Sequence, residues 1–174
     1  NTYKNKSQAL KNCRKVMKET KCDGIKLEGG RNINEIVKHL IKHKIPVMGH
    51  IGITPQSVRG KFRYKGKSDI EKKNLLKDAK SLEDAGVFAI VLECIERITS
   101  KKITESIKIP TIGIGSSNFC DGQILVTDDL LGLTDNKIKF VKKYADLKSN
   151  VRKAVKKFKL DVKKGSYPSI KYSY

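Results

Sequence analysis

Tryptophan is absent from the 174 residues, and the six Tyr and five Phe are scattered along the chain. A reader of single-stranded nucleic acid needs aromatic stacking platforms beside clustered basic residues, and no such module is legible. The four cysteines, Cys13, Cys22, Cys94 and Cys120, form no C-x-x-C pair and no zinc spacing. A chain with this much apolar sequence for a core has no need of disulfides, so a reducing compartment is expected. No apolar run approaches the length of a membrane span. No signal or transit segment is visible, and the first residue is Asn1 rather than Met, so a targeting segment would lie upstream. Internal repeats and low-complexity linkers are also missing, which reads as one domain, or part of one, over residues 1–174.

Positive charge is plentiful. Lys and Arg number 38 against 18 Asp and Glu, for a formal net charge of +20. Only six of the 38 are Arg, however, and the lysines are spread rather than clustered. Dispersed lysine is a property of a solvated surface and argues about solubility, not about a nucleic-acid partner.

Short apolar runs alternate with amphipathic stretches. The pattern predicts a helix over 6–20, with Ala9, Cys13, Val16 and Met17 on one face, then a strand over Gly24–Glu28. Asn32 and Glu35 have capping-box spacing before the stripe Ile33, Ile36, Val37, Leu40 and Ile41. A strand follows over Ile45–His50, then a helix from about Asp69 that Gly86 is placed to stop. Val87–Glu93, Pro110–Ile114 and Gln123–Val126 read as further strands, with a short helix marked by Ile98, Ile103 and Ile107 between the first two. Two basic helices are predicted near 136–145 and 147–163, the second burying Val151, Ala154, Val155, Phe158 and Val162. Regular alternation of this kind builds a parallel sheet with helical crossovers. A doubly wound nucleotide-binding sheet is poorly supported, because Gly113-Ile114-Gly115 lacks the third glycine of the phosphate fingerprint.

Three strands end on charge. A carboxylate at the end of an apolar run is costly unless it is paired, bound to metal or used in chemistry. Lys26 and Glu28 lie two apart on one strand and so share a face. A carboxylate there can ligate a hard divalent cation, and the ammonium can bind a substrate carboxylate or carbonyl. Glu93 closes the most apolar strand, a setting suited to a base that removes a weakly acidic proton. His50 ends a third strand and, taken alone, reads as structural. His39 and His43, spaced i and i+4, read as a solvated pair lacking a third ligand, and Asp121, placed to cap or ligate, reads as structural.

Taken in order, KLEGG (26–30), PVMGHIGITPQS (46–57), LEDAGVFAIVLECI (82–95) and IPTIGIGSSNFCDGQILVTDDLLG (109–132) resemble the ketopantoate hydroxymethyltransferase family. The similarity extends from near Tyr3 to the tail around Pro168. It implies a (β/α)8 barrel of which this chain covers about the last five β/α units, lacking about three strands that would precede Asn1. The implied reaction moves a one-carbon unit from 5,10-methylenetetrahydrofolate to 3-methyl-2-oxobutanoate with Mg2+, forming 2-dehydropantoate for pantothenate synthesis. By position, Glu28 matches the family's magnesium-ligand glutamate, Lys26 its substrate-binding lysine and Glu93 its proton acceptor.

The resemblance places two further metal-binding aspartates and a substrate-holding serine upstream of Asn1. The chain by itself is therefore expected to be inactive and to carry unpaired, aggregation-prone sheet edges. The resemblance further implies small-molecule partners, a homo-oligomeric parent, and a cytoplasmic or, with an upstream targeting segment, mitochondrial location. Two loops depart from the family pattern. The loop at Arg59-Gly60-Lys61-Phe62 is shorter, and Gly115-Ser116-Ser117 stands where Gly-Ala-Gly is common. Rival expectations are another magnesium-dependent barrel enzyme acting on a 2-oxo acid, and a diverged, non-catalytic basic binding protein.

Overall fold

The computed structural model describes residues 2–56 and 63–174, so the shortened loop at Arg59–Phe62 lies outside the described residues. The chain forms two compact units, Asn1–Ile124 and Leu125–Tyr174.

The first unit is an alternating β/α structure. Helix α1 (Lys6–Thr20) is capped by Asn5, whose side chain accepts the Gln8 N–H, and ends where Lys21 turns left-handed. Strand β1 (Ile25–Glu28) leads through a 3-10 turn into α2 (Asn34–Lys42), and β2 (Val47–Gly52) follows. Helix α3 (Asp69–Ala85) is capped by Ser68 at its start and ends at left-handed Gly86, the stop that the sequence pattern predicted. Strand β3 (Ala89–Glu93), helix α4 (Arg97–Ser106), strand β4 (Thr111–Ile114) and the two-residue β5 (Gly122–Gln123) complete it. The fifth strand is thus shorter and earlier than the predicted Gln123–Val126. The capping box is also not realised. Asn32 accepts the Gly30 N–H instead, and α2 begins after Ile33 with no side-chain cap.

All five strands are parallel and lie in the order β1-β2-β3-β4-β5. Sequential order with crossovers of one hand puts the connecting helices on one face of the sheet. Leu27, Ile51, Ile90 and Leu92 accordingly share a core with Val37, Leu40, Leu75, Leu82 and Ile103 from α2, α3 and α4. This is a run of consecutive β/α units, without the reversal of strand order that defines a doubly wound sheet.

The second unit contains α5 (Thr127–Leu130) and α6 (Leu147–Lys163). Two expectations fail in it. No helix forms over 136–145. That segment instead carries a strap whose Tyr144 N–H donates to Leu130 O, followed by Leu147 N–H to Leu131 O. The last helix has the predicted bounds but buries none of its residues. No helix among the described residues is long and apolar enough to cross a membrane.

Candidate active site at the C-terminal end of the sheet

Strand register brings the charged strand ends together. Glu28 is level with His50, and Gly52 is level with Glu93. Counting in twos along each strand, Lys26, Glu28, His50 and Glu93 all project from the face opposite the helices. Their side chains meet at the C-terminal end of the strands, where barrel enzymes place their chemistry.

His50 is the hub. It is 2 % exposed, and its Nδ1 lies 3.0 Å from Lys26 Nζ. An ammonium can only donate, so Nδ1 is the acceptor and the network assigns the ring proton to Nε2. Nε2 lies 3.1 Å from Glu93 Oε2, yet it is off the line of a hydrogen bond and buried. A buried N–H without a hydrogen bond is costly. The side of the ring facing Glu93 therefore holds an unspent donor.

Glu28 is 6 % exposed and anchored from several directions. Its Oε2 accepts the Gln56 N–H at 2.9 Å, while Oε1 lies 3.8 Å from Lys26 Nζ and 3.9 Å from His50 Nδ1. The Tyr3 hydroxyl donates to the Glu28 carbonyl at 3.2 Å and accepts its N–H at 3.3 Å. Burial pushes the Tyr3 phenol up from its ordinary value. The Gly29-Gly30 pair after Glu28 has a packing role. A Cβ on Gly30 would run into the Asp78 carboxyl group, which holds Arg31 at 2.8 Å.

Glu93 sits on an unusual piece of backbone. The next residue, Cys94, has φ 50, a left-handed conformation that costs a non-glycine residue about 1–3 kcal/mol. The Glu93 carbonyl accepts the Ile53 N–H at 2.9 Å, and the Cys94 N–H donates to Ile114 O at 2.9 Å. A side chain at Gly52 would collide with the Glu93 carbonyl oxygen. Burial, and then the neighbouring Glu93 charge, push the Cys94 thiol up to about 11.

The remaining candidates lie elsewhere. Asp121 accepts the Thr111 N–H at 2.8 Å and its hydroxyl at 2.9 Å, and this bonding holds its carboxyl below the usual range. That is the structural part expected of it. His39 and His43 are half-buried rather than solvated, with ring centroids 4.4 Å apart. Desolvation, then His43 and nearby Lys and Arg charges, lower the His39 pKa.

A magnesium ion takes six oxygen ligands in near-octahedral geometry. Glu28 offers one carboxylate, already engaged by an amide and facing an ammonium. Among the described residues no group of three or more His, Cys, Asp and Glu is placed to hold a metal. The residues of this chain do not by themselves fit the ion.

Sequence reasoning identified Lys26, Glu28 and Glu93, and the structure brings all three together. It read His50 as structural, and it overlooked Tyr3 and the Gln56 N–H. The signal for His50 was present, since an ionisable residue stands at the C-terminal end of the strand between the other two.

The family model for ketopantoate hydroxymethyltransferase matches residues 1–170. The 3-methyl-2-oxobutanoate hydroxymethyltransferase of Pelagibacter ubique is 54% identical over 174 residues, covering 100% of this chain and 67% of that protein. The same-named protein of Clostridium botulinum is 49% identical over 170 residues, covering 96% of this chain and 62% of its own length. That of Helicobacter pylori strain P12 is 50% identical over 176 residues, covering 99% of this chain and 65% of its own. The chain thus spans about two thirds of the length of the curated relatives it matches.

Proposed function

Because the chain belongs to the ketopantoate hydroxymethyltransferase family, we propose that its parent protein adds a hydroxymethyl group to 3-methyl-2-oxobutanoate. The carbon comes from 5,10-methylenetetrahydrofolate. Water supplies the hydroxyl oxygen, and the products are 2-dehydropantoate and tetrahydrofolate. The parent fold is an eight-stranded barrel to which this chain contributes five consecutive units. Sequential parallel strands with helices on one face support that reading.

The observation that carries the proposal is Glu93 Oε2 held 3.1 Å from a buried histidine that is level with a second carboxylate, Glu28, and has Lys26 Nζ 3.0 Å from its other nitrogen. Glu93 removes the proton from carbon 3 of the oxo acid, leaving an enolate whose carbon attacks the folate methylene. Lys26, half-exposed at the rim of the cluster, binds the anionic end of the substrate. His50, oriented by Lys26, offers its unspent Nε2–H to oxygen on which negative charge develops. Glu28 would lend a ligand to a magnesium ion, which would supply Lewis-acid polarisation of the 2-oxo group. No step above depends on that ion.

The test is hydrogen–deuterium exchange at carbon 3 of 3-methyl-2-oxobutanoate, followed by NMR in heavy water with the full-length protein and magnesium. Glu93→Gln is expected to slow exchange by about 10²–10⁴-fold, the usual worth of a general base. Absence of exchange from the folded native protein loaded with metal would overturn the reaction.

A further inference from the structure

Away from the strand ends, positive charge gathers in one groove. Helices α1 and α2 each return the chain to the start of a strand in one parallel sheet, so they pack side by side in the same direction. Lys6, Leu10 and Arg14 on α1 keep step with Glu35, His39 and His43 on α2, each set spaced four residues apart. All but Glu35 line a cleft of about 690 Å³ that Lys11 also borders. One end is balanced, since Lys6 Nζ lies 3.0 Å from Glu35 Oε2 and Lys38 Nζ lies 3.7 Å from Oε1. The other end is not. Among the described residues Lys11, Arg14 and Lys42 form no ion pair, whereas Lys15 on the same helix lies 3.9 Å from Glu19. We propose that this cleft binds a diphosphate-bearing anion, held by Arg14 and Lys11 with His39 and His43 beside it. The site stands apart from the strand-end cluster and does not depend on the reaction assigned to it.

Like charges crowded without a counter-ion repel, and a bound anion removes that repulsion. His39 registers the crowding. Desolvation first, then the charges of His43, Lys6, Lys42 and Arg14, hold its pKa below the ordinary value. Lys11 and Glu35 complete the charged surroundings of the groove. An anion favours the imidazolium form, so it moves the His39 titration to higher pH, and by linkage it binds more tightly as the pH falls through that titration. His43 Nδ1 lies 2.8 Å from the His39 carbonyl oxygen, which can only accept, so Nδ1 carries a proton and Nε2 is the nitrogen left to gain one. Two unpaired cations one helical turn apart call for an anion with more than the single charge of a carboxylate. The guanidinium fork of Arg14 matches paired phosphate oxygens. Glu35 repels the anion from the balanced end and confines it near Arg14. The cleft falls within the roughly 300–1,000 Å³ of small-molecule sites, more room than a diphosphate needs. Leu10 and the tilted imidazole pair, centroids 4.4 Å apart, offer the rest of a nucleotide a surface to lie on.

The experiment titrates the full-length protein with inorganic diphosphate at low ionic strength and without divalent metal. Calorimetry reads the affinity, and NMR follows the His39 ring through its pH titration. Diphosphate should bind saturably and move the His39 titration to higher pH, well beyond the effect of sodium chloride at matched ionic strength. Arg14→Ala is expected to weaken binding about tenfold or more, and Lys11→Ala by about three- to tenfold, the worth of charge-assisted hydrogen bonds. Lys15→Ala removes the same charge from the same helix, but from a side chain set beside Glu19, and should stay within about twofold of native. ADP is the second arm. Tighter binding of ADP than of diphosphate assigns the natural ligand to the nucleotides, and equal affinity assigns it to the free anion. Absence of saturable binding, a His39 titration that chloride moves equally, or an equal loss in Lys15→Ala overturns the site.

Discussion

Helices α3 and α6 are both 17 residues long, and both are capped by a side-chain oxygen, from Ser68 and Asp146 respectively. Each carries apolar residues at helical spacing. Yet α3 buries Leu75, Ala79, Leu82 and Ala85, while in α6 Val155 is 59% and Phe158 54% exposed. The difference lies in what each helix is given to cover. Helix α3 is the crossover between β2 and β3, so its stripe falls on Ile51, Ile90 and Leu92. Helix α6 has no strand of its own unit to lie on. Its apolar side there meets the tail, with the Phe158 and Tyr167 rings edge-on at 5.3 Å. Periodicity defines a face, and burial needs a second surface.

Substitutions can break that comparison, beginning with the largest effect. Leu82 is fully buried against Gly49, so Leu82→Ala is expected to cost about 2–5 kcal/mol in urea unfolding. A loss below about 1 kcal/mol would mean that α3 is no better packed than α6.

Thiol labelling sharpens the contrast without touching the second unit, since all four cysteines precede residue 125. With its thiol at about 11, Cys94 should alkylate slowly at pH 8. Its rate should then climb about tenfold per pH unit toward pH 11. A rate that levels off near pH 9 would show that burial does not act on it.

Asp121→Asn removes a charge that accepts two hydrogen bonds from Thr111, at an expected cost of about 1 kcal/mol at pH 7. The native carboxyl has a folded pKa below its unfolded value of about 3.9. Its contribution is therefore complete above about pH 5 and disappears as the pH falls through the folded pKa. The gap between native and variant midpoints should close in acid, and a constant gap would assign it to packing.

The smallest effect belongs to the exposed stripe. Phe158→Ala in this chain should change stability by no more than about 0.5 kcal/mol. The same substitution in the full-length protein distinguishes a solvated stripe from one covered by the remainder of the fold, where the cost would rise to about 3 kcal/mol.

Much of the first unit was legible because its signals are local. The start of α3 near Asp69, its stop at Gly86 and the alternation of apolar strands with striped helices each depend on neighbours within about four residues. Lys26, Glu28 and Glu93 stood out for a similar reason, as charge ending an apolar run. The misreadings share the opposite cause. Asn32 has the spacing of a cap, but the 3-10 turn redirects it to Gly30. The basic stretch at 136–145 has apolar residues at helical spacing, but its neighbours hydrogen-bond back to residues around α5.

The departure at Gly115-Ser116-Ser117 was visible in the sequence as a loop difference. Its placement against Leu92 and Ile95 was not. His50 shows the same limit. One residue at a strand end carries no hint that it will face a lysine on one side and a carboxylate on the other. Strand parity alone set which side chains share a face, because successive residues of a strand point opposite ways whatever their surroundings. The register between strands, the partner on each side of His50, the left-handed turn at Cys94 and the exposure of α6 were decided by tertiary structure. Each depends on groups far apart in the chain, and only packing brings such groups within reach.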